Sequence, residues 1–209
     1  MSNLAPLSAY PSLFIRQRRE LAEFFGYESR NKYEILTTEG QPILYAAEQG
    51  KSVAAMVLRQ FLGHWRSFEL HVFDMHRTPI LRAVHPFRFF FQRLEVYDAA
   101  GRFIGAMQQR FAFFSKRFDV LDASGHVLFS VSSPFWRVWT FPFERAGRQV
   151  AVIAKKWGGV LRELFTDADT FRIDYGAELN PDERALLLAA GLFIDLQYFE
   201  QNAEDRTNR

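Results

Sequence analysis

The sequence predicts a mainly β protein: a closed antiparallel barrel of roughly twelve strands around a buried hydrophobic C-terminal α-helix. Two observations lead there. The first is a repeat. Asp74, Asp98 and Asp122 recur at an even spacing of 24 residues, and two continue alike, as Asp98-Ala99-Ala100-Gly101 and Asp122-Ala123-Ser124-Gly125. The second is the stretch Asn180 to Glu200, in which Ala185 to Ile194 is apolar without a break. A helix apolar on every side needs walls on every side. A sheet closed on itself has no edges and leaves a lumen that one helix can fill. Each observation therefore predicts the other.

The chain divides into a flexible tail over 1–12, a barrel domain over 13–200 and a polar tail over 201–209. At 209 residues it has the length for one good core. Leu13 to Gly26 sets Leu13, Ile15, Leu21, Phe24 and Phe25 among Arg16, Arg18, Arg19, Glu20 and Glu23. That pattern predicts a short amphipathic helix ended by Gly26, serving as a cap on the barrel or as a basic, aromatic membrane-surface element. The repeat follows. An Asp with Gly three residues later suits a type I turn closed by a left-handed glycine. Looser copies are Thr37 to Gly40 and Glu144 to Gly147. Alternation precedes the turns, as at Leu94 and Val96 or Phe118 and Val120, so each unit is a hairpin and about six units give the twelve strands. Asn180, Pro181, Asp182 and Glu183 then form a helix start with a capping box. The apolar run rises about 15 Å, roughly half a hydrocarbon slab, before Asp195 and Gln197. It predicts a core helix rather than a span, with Asp195 hydrogen-bonded at the rim where the helix leaves the lumen.

Composition narrows the function. Hydrophobic residues at 48% and charged residues at 24% describe a globular chain, and 23 phenylalanines exceed what an ordinary core needs. There is no cysteine, hence no disulfide and no thiolate chemistry. A net charge of +2 at a pI near 9.0 argues against nucleic acid as partner. No signal peptide is expected. His71 and His76 fall on opposite faces of a strand with no obvious carboxylate beside them. No nucleophile–base set or phosphate-binding glycine loop stands out, so no covalent enzyme chemistry is expected.

Three groups are candidate sites. Phe89, Phe90 and Phe91, flanked by Arg88 and Arg93, suit a bilayer interface, with rings inserted and guanidiniums on phosphates. Lys155, Lys156 and Arg162 beside Trp157 form a second headgroup-facing set. Asp167, Asp169 and Glu178 fall at positions one, three and twelve of a calcium loop. Against that loop stand Phe171 and Arg172 at positions five and six, where an oxygen ligand and a glycine belong. Calcium, held weakly, is the one cofactor considered.

Three separated stretches resemble the phospholipid scramblases, within the wider tubby-like barrel group. They are Phe24 to Ile35 (FFGYESRNKYEI), Lys155 to Tyr175 (KKWGGVLRELFTDADTFRIDY) and the terminal LLLAAGLFIDLQYFE. The similarity runs from about Leu13 to Glu200. It implies a tubby-like barrel around a buried helix, association with phospholipid membranes, a calcium response at the acidic segment, and movement of lipids between leaflets. Eukaryotic members carry a proline-rich N-terminal extension that this sequence lacks. They also carry a palmitoylated cysteine cluster on the segment matching His85 to Arg93, where this chain has Phe89 to Phe91. The expected partner is an anionic phospholipid surface and the expected placement cytoplasmic and peripheral at the membrane. The alternative is a soluble tubby-like module for a protein, nucleic-acid or other ligand.

Overall fold

The computed structural model describes residues 4–18, 31–49, 67–88, 91–111, 115–134, 140–155 and 170–198. Among these, twelve strands form one closed barrel in chain order: β1 Ser12–Gln17, β2 Lys32–Leu36, β3 Pro42–Glu48, β4 Phe68–Asp74, β5 Pro79–His85, β6 Arg93–Asp98, β7 Phe103–Arg110, β8 Ser115–Asp122, β9 Val127–Pro134, β10 Thr140–Arg145, β11 Arg148–Lys155 and β12 Thr170–Tyr175. All pairings are antiparallel, and β1 against β12 closes the ring, with Ser12 opposite Asp174 and Ile15 opposite Phe171. Helix α1, Pro181–Tyr198, is the last element.

The repeat is one turn device used four times; the looser copy expected at Glu144 to Gly147 is instead a two-residue turn, with Arg145 paired directly to Arg148. In the β6–β7 hairpin the Gly101 N–H donates to the Asp98 carbonyl at 3.0 Å, and the Asp98 carboxylate accepts the N–H groups of Ala100 and Arg102. Asp122 does the same for Ser124 and His126, and Asp74 for His76 and Thr78. Thr37 substitutes its hydroxyl in the β2–β3 turn. The fourth residue is left-handed at Gly40, Gly101 and Gly125, and the β10–β11 turn uses Ala146 and Gly147. Four of the hairpins carry a register shift beside the turn, as between Val96 and Tyr97 or Val120 and Leu121. A type I turn followed by a left-handed residue produces that bulge, which adds twist and helps the sheet curl shut.

Arg77 occupies the glycine position of the β4–β5 turn at φ 64°. Left-handed backbone costs a side-chain-bearing residue about 1 kcal/mol. Arg77→Gly is therefore expected to raise the melting temperature by about 2–4 °C, read by thermal denaturation. The turn aspartates also set an acid limit. Backbone N–H donation, from His126 above all, lowers the Asp122 pKa. At Asp74 and Asp98 burial pushes the other way, but the N–H groups of Thr78 and His76, and of Arg102 and Ala100, together outweigh it. A depressed folded pKa contributes stability above the unfolded value, about 3.9, that is lost as pH falls through the folded value. Melting temperature should fall steeply below about pH 4. The Asp74→Asn, Asp98→Asn, Asp122→Asn triple variant keeps the acceptors without titrating and should show a shallower fall.

The lumen is filled by α1. Ala185 to Ala190 and Leu192 to Ile194 are all buried, against inward residues such as Leu13, Ile15, Leu70, Val96, Phe118, Phe143, Ile153 and Ile173. Gly191 lets the helix lean on the β1, β11 and β12 wall: a Cβ there would lie 2.7 Å from Ile15 Cδ1 and 3.2 Å from Ile173 Cδ1. The capping box forms, the Glu183 N–H donating to Asn180 Oδ1 and the Asn180 N–H to Glu183 Oε2. Asp195 is also buried, and so is Leu196 after it, so the lumen continues past the residue expected at its rim.

Two further expectations are corrected. Ser12–Gln17 is strand β1, not the start of an amphipathic helix; residues 19–26 lie outside the described residues. All four of Ser12, Leu13, Phe14 and Ile15 are buried, and β2 is buried throughout. Burial on both faces erases the alternation that marks a strand. The segment read as a loose tail is packed from Leu4 onward: Ala5–Ala9 is a 3-10 turn, and Leu4 and Leu7 join the core. Residues 1–3 and 201–209 are outside the described residues.

Candidate functional site

An up-and-down barrel has two rims. One carries the five tight turns and the start of α1, and it is sealed by charge. Arg102 donates to Asp98 at 2.8 Å and, through both terminal nitrogens, to Asp182 of the helix at 2.8 and 3.0 Å. Arg145 binds Glu183 of the helix. Arg184 is buried, and among the described residues no carboxylate pairs with it. It donates to the carbonyls of Leu7, Tyr10, Gly176 and Leu179 and lies 4.9 Å from the centre of the Tyr175 ring.

The connections after β1, β3, β5, β7, β9 and β11 leave from the opposite rim, toward which α1 runs. Here the barrel exposes large rings: Phe87 at 42%, Phe91 at 47% and Phe111 at 63%. Arg88 is exposed beside them. Phe91 holds a left-handed backbone at φ 51°, an uncommon state for a bulky residue. Gln108 of β7 helps hold it, its Nε2 donating to the Phe91 carbonyl at 3.1 Å. Gln92 and Gln109 continue the ladder, through Gln109 N–H to the Gln92 carbonyl and Gln92 N–H to Gln109 Oε1. The two connections therefore leave the barrel side by side.

Arg93 pairs with Glu95 at 3.0 Å and Arg110 with Asp119 at 2.6 Å. Arg117 stands directly across the ladder from Arg110. Like charges placed so repel one another. Among the described residues neither Arg88 nor Arg117 has a carboxylate partner.

The barrel wall between the rims presents Glu69, Arg82, Arg93, Glu95, Asp119, Arg172 and Asp174 on its outer side, several joined in ion pairs. A charge on the lipid face of a spanning barrel costs about 2–4 kcal/mol at the midplane. Such a wall suits water, which leaves the rims as the places to meet an apolar phase. Among the described residues no helix is long and apolar enough to cross a membrane.

Of the sequence candidates, Arg88, Phe91 and Arg93 meet on this rim. Lys155 ends β11, with Nζ 5.6 Å from the Phe171 ring centre. Phe89, Phe90, Lys156, Trp157, Arg162, Asp167 and Asp169 lie outside the described residues. Of the calcium loop expected over 167–178, the structure describes residues from Thr170 onward, where Thr170–Tyr175 is strand β12 and Glu178 follows its end. His71 is not without a carboxylate, its Nε2 lying 3.1 Å from Glu69 Oε1.

Sequence reasoning missed Phe87, Phe111 and Gln108, although a signal was present. Phe87 and Phe111 are separated by the same 24 residues as the turn aspartates, and so are Arg93 and Arg117. The repeat builds both rims.

Fold and site define a helix-filled antiparallel barrel with one charge-sealed rim and one aromatic rim. A model of the family described as Scramblase matches residues 1–201. Human phospholipid scramblase 2 is 32% identical over 93% of this chain and 69% of its own length. Human phospholipid scramblase 1 is 32% identical over 93% of this chain and 64% of its own. A Saccharomyces cerevisiae protein, altered inheritance rate of mitochondria protein 25, is 24% identical over 92% and 72%. The chain belongs to the scramblase family and spans about two thirds of the length of these relatives. A solved structure of an Arabidopsis thaliana protein aligns over 96% of this chain and 94% of its own, at 11% identity and a TM-score of 0.46. At that distance it adds nothing to a fold the strand pairing already defines.

Proposed function

We propose that the protein binds anionic phospholipid surfaces peripherally and takes part in moving phospholipids between leaflets. The observation that carries the reading is the exposed Phe91, on a left-handed backbone, beside the exposed Arg88. A ring at the headgroup boundary gains from leaving water, and guanidiniums pair with lipid phosphates. The names of the human relatives point the same way. The activity proposed makes and breaks no covalent bond. What it needs from the chain is a surface that holds a headgroup and disturbs acyl packing.

The test is flotation of the full chain with phosphatidylcholine vesicles, with and without phosphatidylserine, at low and high salt. Binding to the anionic vesicles that weakens as salt rises is the expected result. Flotation with neither kind of vesicle would contradict the reading and favour a soluble interaction module. An arm with millimolar calcium tests the calcium response, expected to be weak because Phe171 and Arg172 stand where an oxygen ligand and a glycine belong.

A further inference from the structure

We infer that the barrel docks end-on to an anionic bilayer surface. The docking edge is made by Phe87, Arg88, Phe91 and Phe111 at the strand ends of this rim, with the three rings as the inserting tips and Gln108 as the residue that positions Phe91. This rests on the membrane-binding reading above and adds an orientation, a second strand end and a clamp.

Three observations converge. The first is exposure. Of the large hydrophobic side chains left in water among the described residues, the three phenylalanines belong to this rim. The ladder brings the two connections together: Arg93 lies opposite Gln108 and the Gln92–Gln109 hydrogen bonds extend that register. Continued by one residue, it sets Arg110 level with Phe91, and Phe111 follows directly in the chain.

The second is strain. Phe91 keeps a backbone that glycine adopts freely and phenylalanine adopts at a cost. The ring it presents is half in water, so burial does not compensate. The Gln108 side-chain amide lies within 3.1 to 3.4 Å of the Phe91, Gln92 and Gln109 carbonyls. The clamp holds a costly conformation whose visible result is an outward ring.

The third is charge. Arg110 and Arg117 face each other across the ladder, and Arg88 stands in the same connection as Phe87 and Phe91. Arg110 is already paired with Asp119, so Arg88 and Arg117 are the charges for phosphates at the bilayer boundary, at the depth where rings insert. A protein partner would need an acidic groove matching both rings and arginines, whereas a bilayer surface supplies apolar and anionic layers at once. The opposite rim provides a built-in control: Met75 and Val127 are exposed at 42% and 52%, yet they lie by the tight turns.

The experiment is vesicle flotation at low salt with the wild type and four variants, each also melted thermally. Phe111→Ser is expected to weaken partition into phosphatidylserine-containing vesicles about tenfold, the scale of burying one large apolar side chain. Phe91→Gly is expected to weaken binding similarly while raising the melting temperature by about 2–4 °C, since glycine relieves the left-handed backbone. Opposite signs in the two readouts are what a merely structural role for Phe91 would not give. Gln108→Ala is expected to weaken binding with Phe111 intact, and Met75→Ser to leave binding unchanged. If the wild type floats while Phe111→Ser and Phe91→Gly float equally well, end-on docking is overturned and membrane binding stands. Loss of binding in Met75→Ser alone would place the docking edge on the other rim. A wild type that never floats removes both readings.

Discussion

Gly105→Ala is expected to destabilise the barrel by about 3–5 kcal/mol, a large part of the roughly 5–15 kcal/mol that holds an ordinary domain folded. Gly105 sits in β7 at φ 153°, opposite Val96 on one side and Asp122 on the other. A methyl group there would stand 2.2 Å from the Leu121 carbonyl oxygen and 3.1 Å from both terminal carbons of Leu186. The first clash is with backbone, so no rotamer change removes it; either β8 shifts or the β7–β8 ladder opens. The second drives α1 out of its seat. Gly101 is the control for glycine conformation alone. It is left-handed at φ 81°, but a Cβ there meets nothing within 4 Å. Gly101→Ala should cost only about 1 kcal/mol. Urea denaturation of the two variants separates packing from backbone preference, and equal losses would contradict this account of β7.

Arg184→Met is expected to cost about 3–5 kcal/mol, although methionine fills much of the same volume. The guanidinium serves four carbonyls that come from the N-terminal turn, the β12 end and the residue before the helix cap. Buried acceptors left without donors cost about 1–3 kcal/mol each when no water reaches them. The loss is structural as well as energetic, because the Leu7 and Tyr10 carbonyls tie the N-terminal turn over the helix start. Without them Leu4 and Leu7 lose their hold on the core. Arg184→Lys should recover only part of the stability, since an ammonium cannot present the planar fork that spans several acceptors. Amide exchange is expected to show residues 4–10 opening first in Arg184→Met. A melting temperature close to wild type would contradict the role given to this arginine.

How much of this was legible follows from where the information sits. The turn aspartates were readable because one residue type does two local jobs, accepting two backbone N–H groups and preceding a left-handed position. Helix α1 was readable because its surroundings are apolar all round, and its sequence shows that directly. Strand β1 was not, because Phe14 is buried on one face and Leu13 and Ile15 on the other, which leaves no polar alternation. Arg184 gave no signal, since its partners are carbonyls brought together from positions near 7, 10, 176 and 179. The aromatic rim was half legible. The Phe89 to Phe91 run drew attention by density, whereas Phe111 needed the barrel register to bring its connection alongside.

The central claim is a barrel that meets a membrane by its aromatic rim while its helix stays inside. Amide hydrogen exchange of the full chain, with and without phosphatidylserine-containing vesicles, tests both halves together. The account predicts slower exchange on vesicles around Phe87, Arg88, Phe91, Gln92 and Phe111, no change in the turns at Asp74, Asp98 and Asp122, and full protection of Ala185 to Ile194 in both conditions. Faster exchange in that helix on vesicles, or new protection confined to the tight turns, would contradict it.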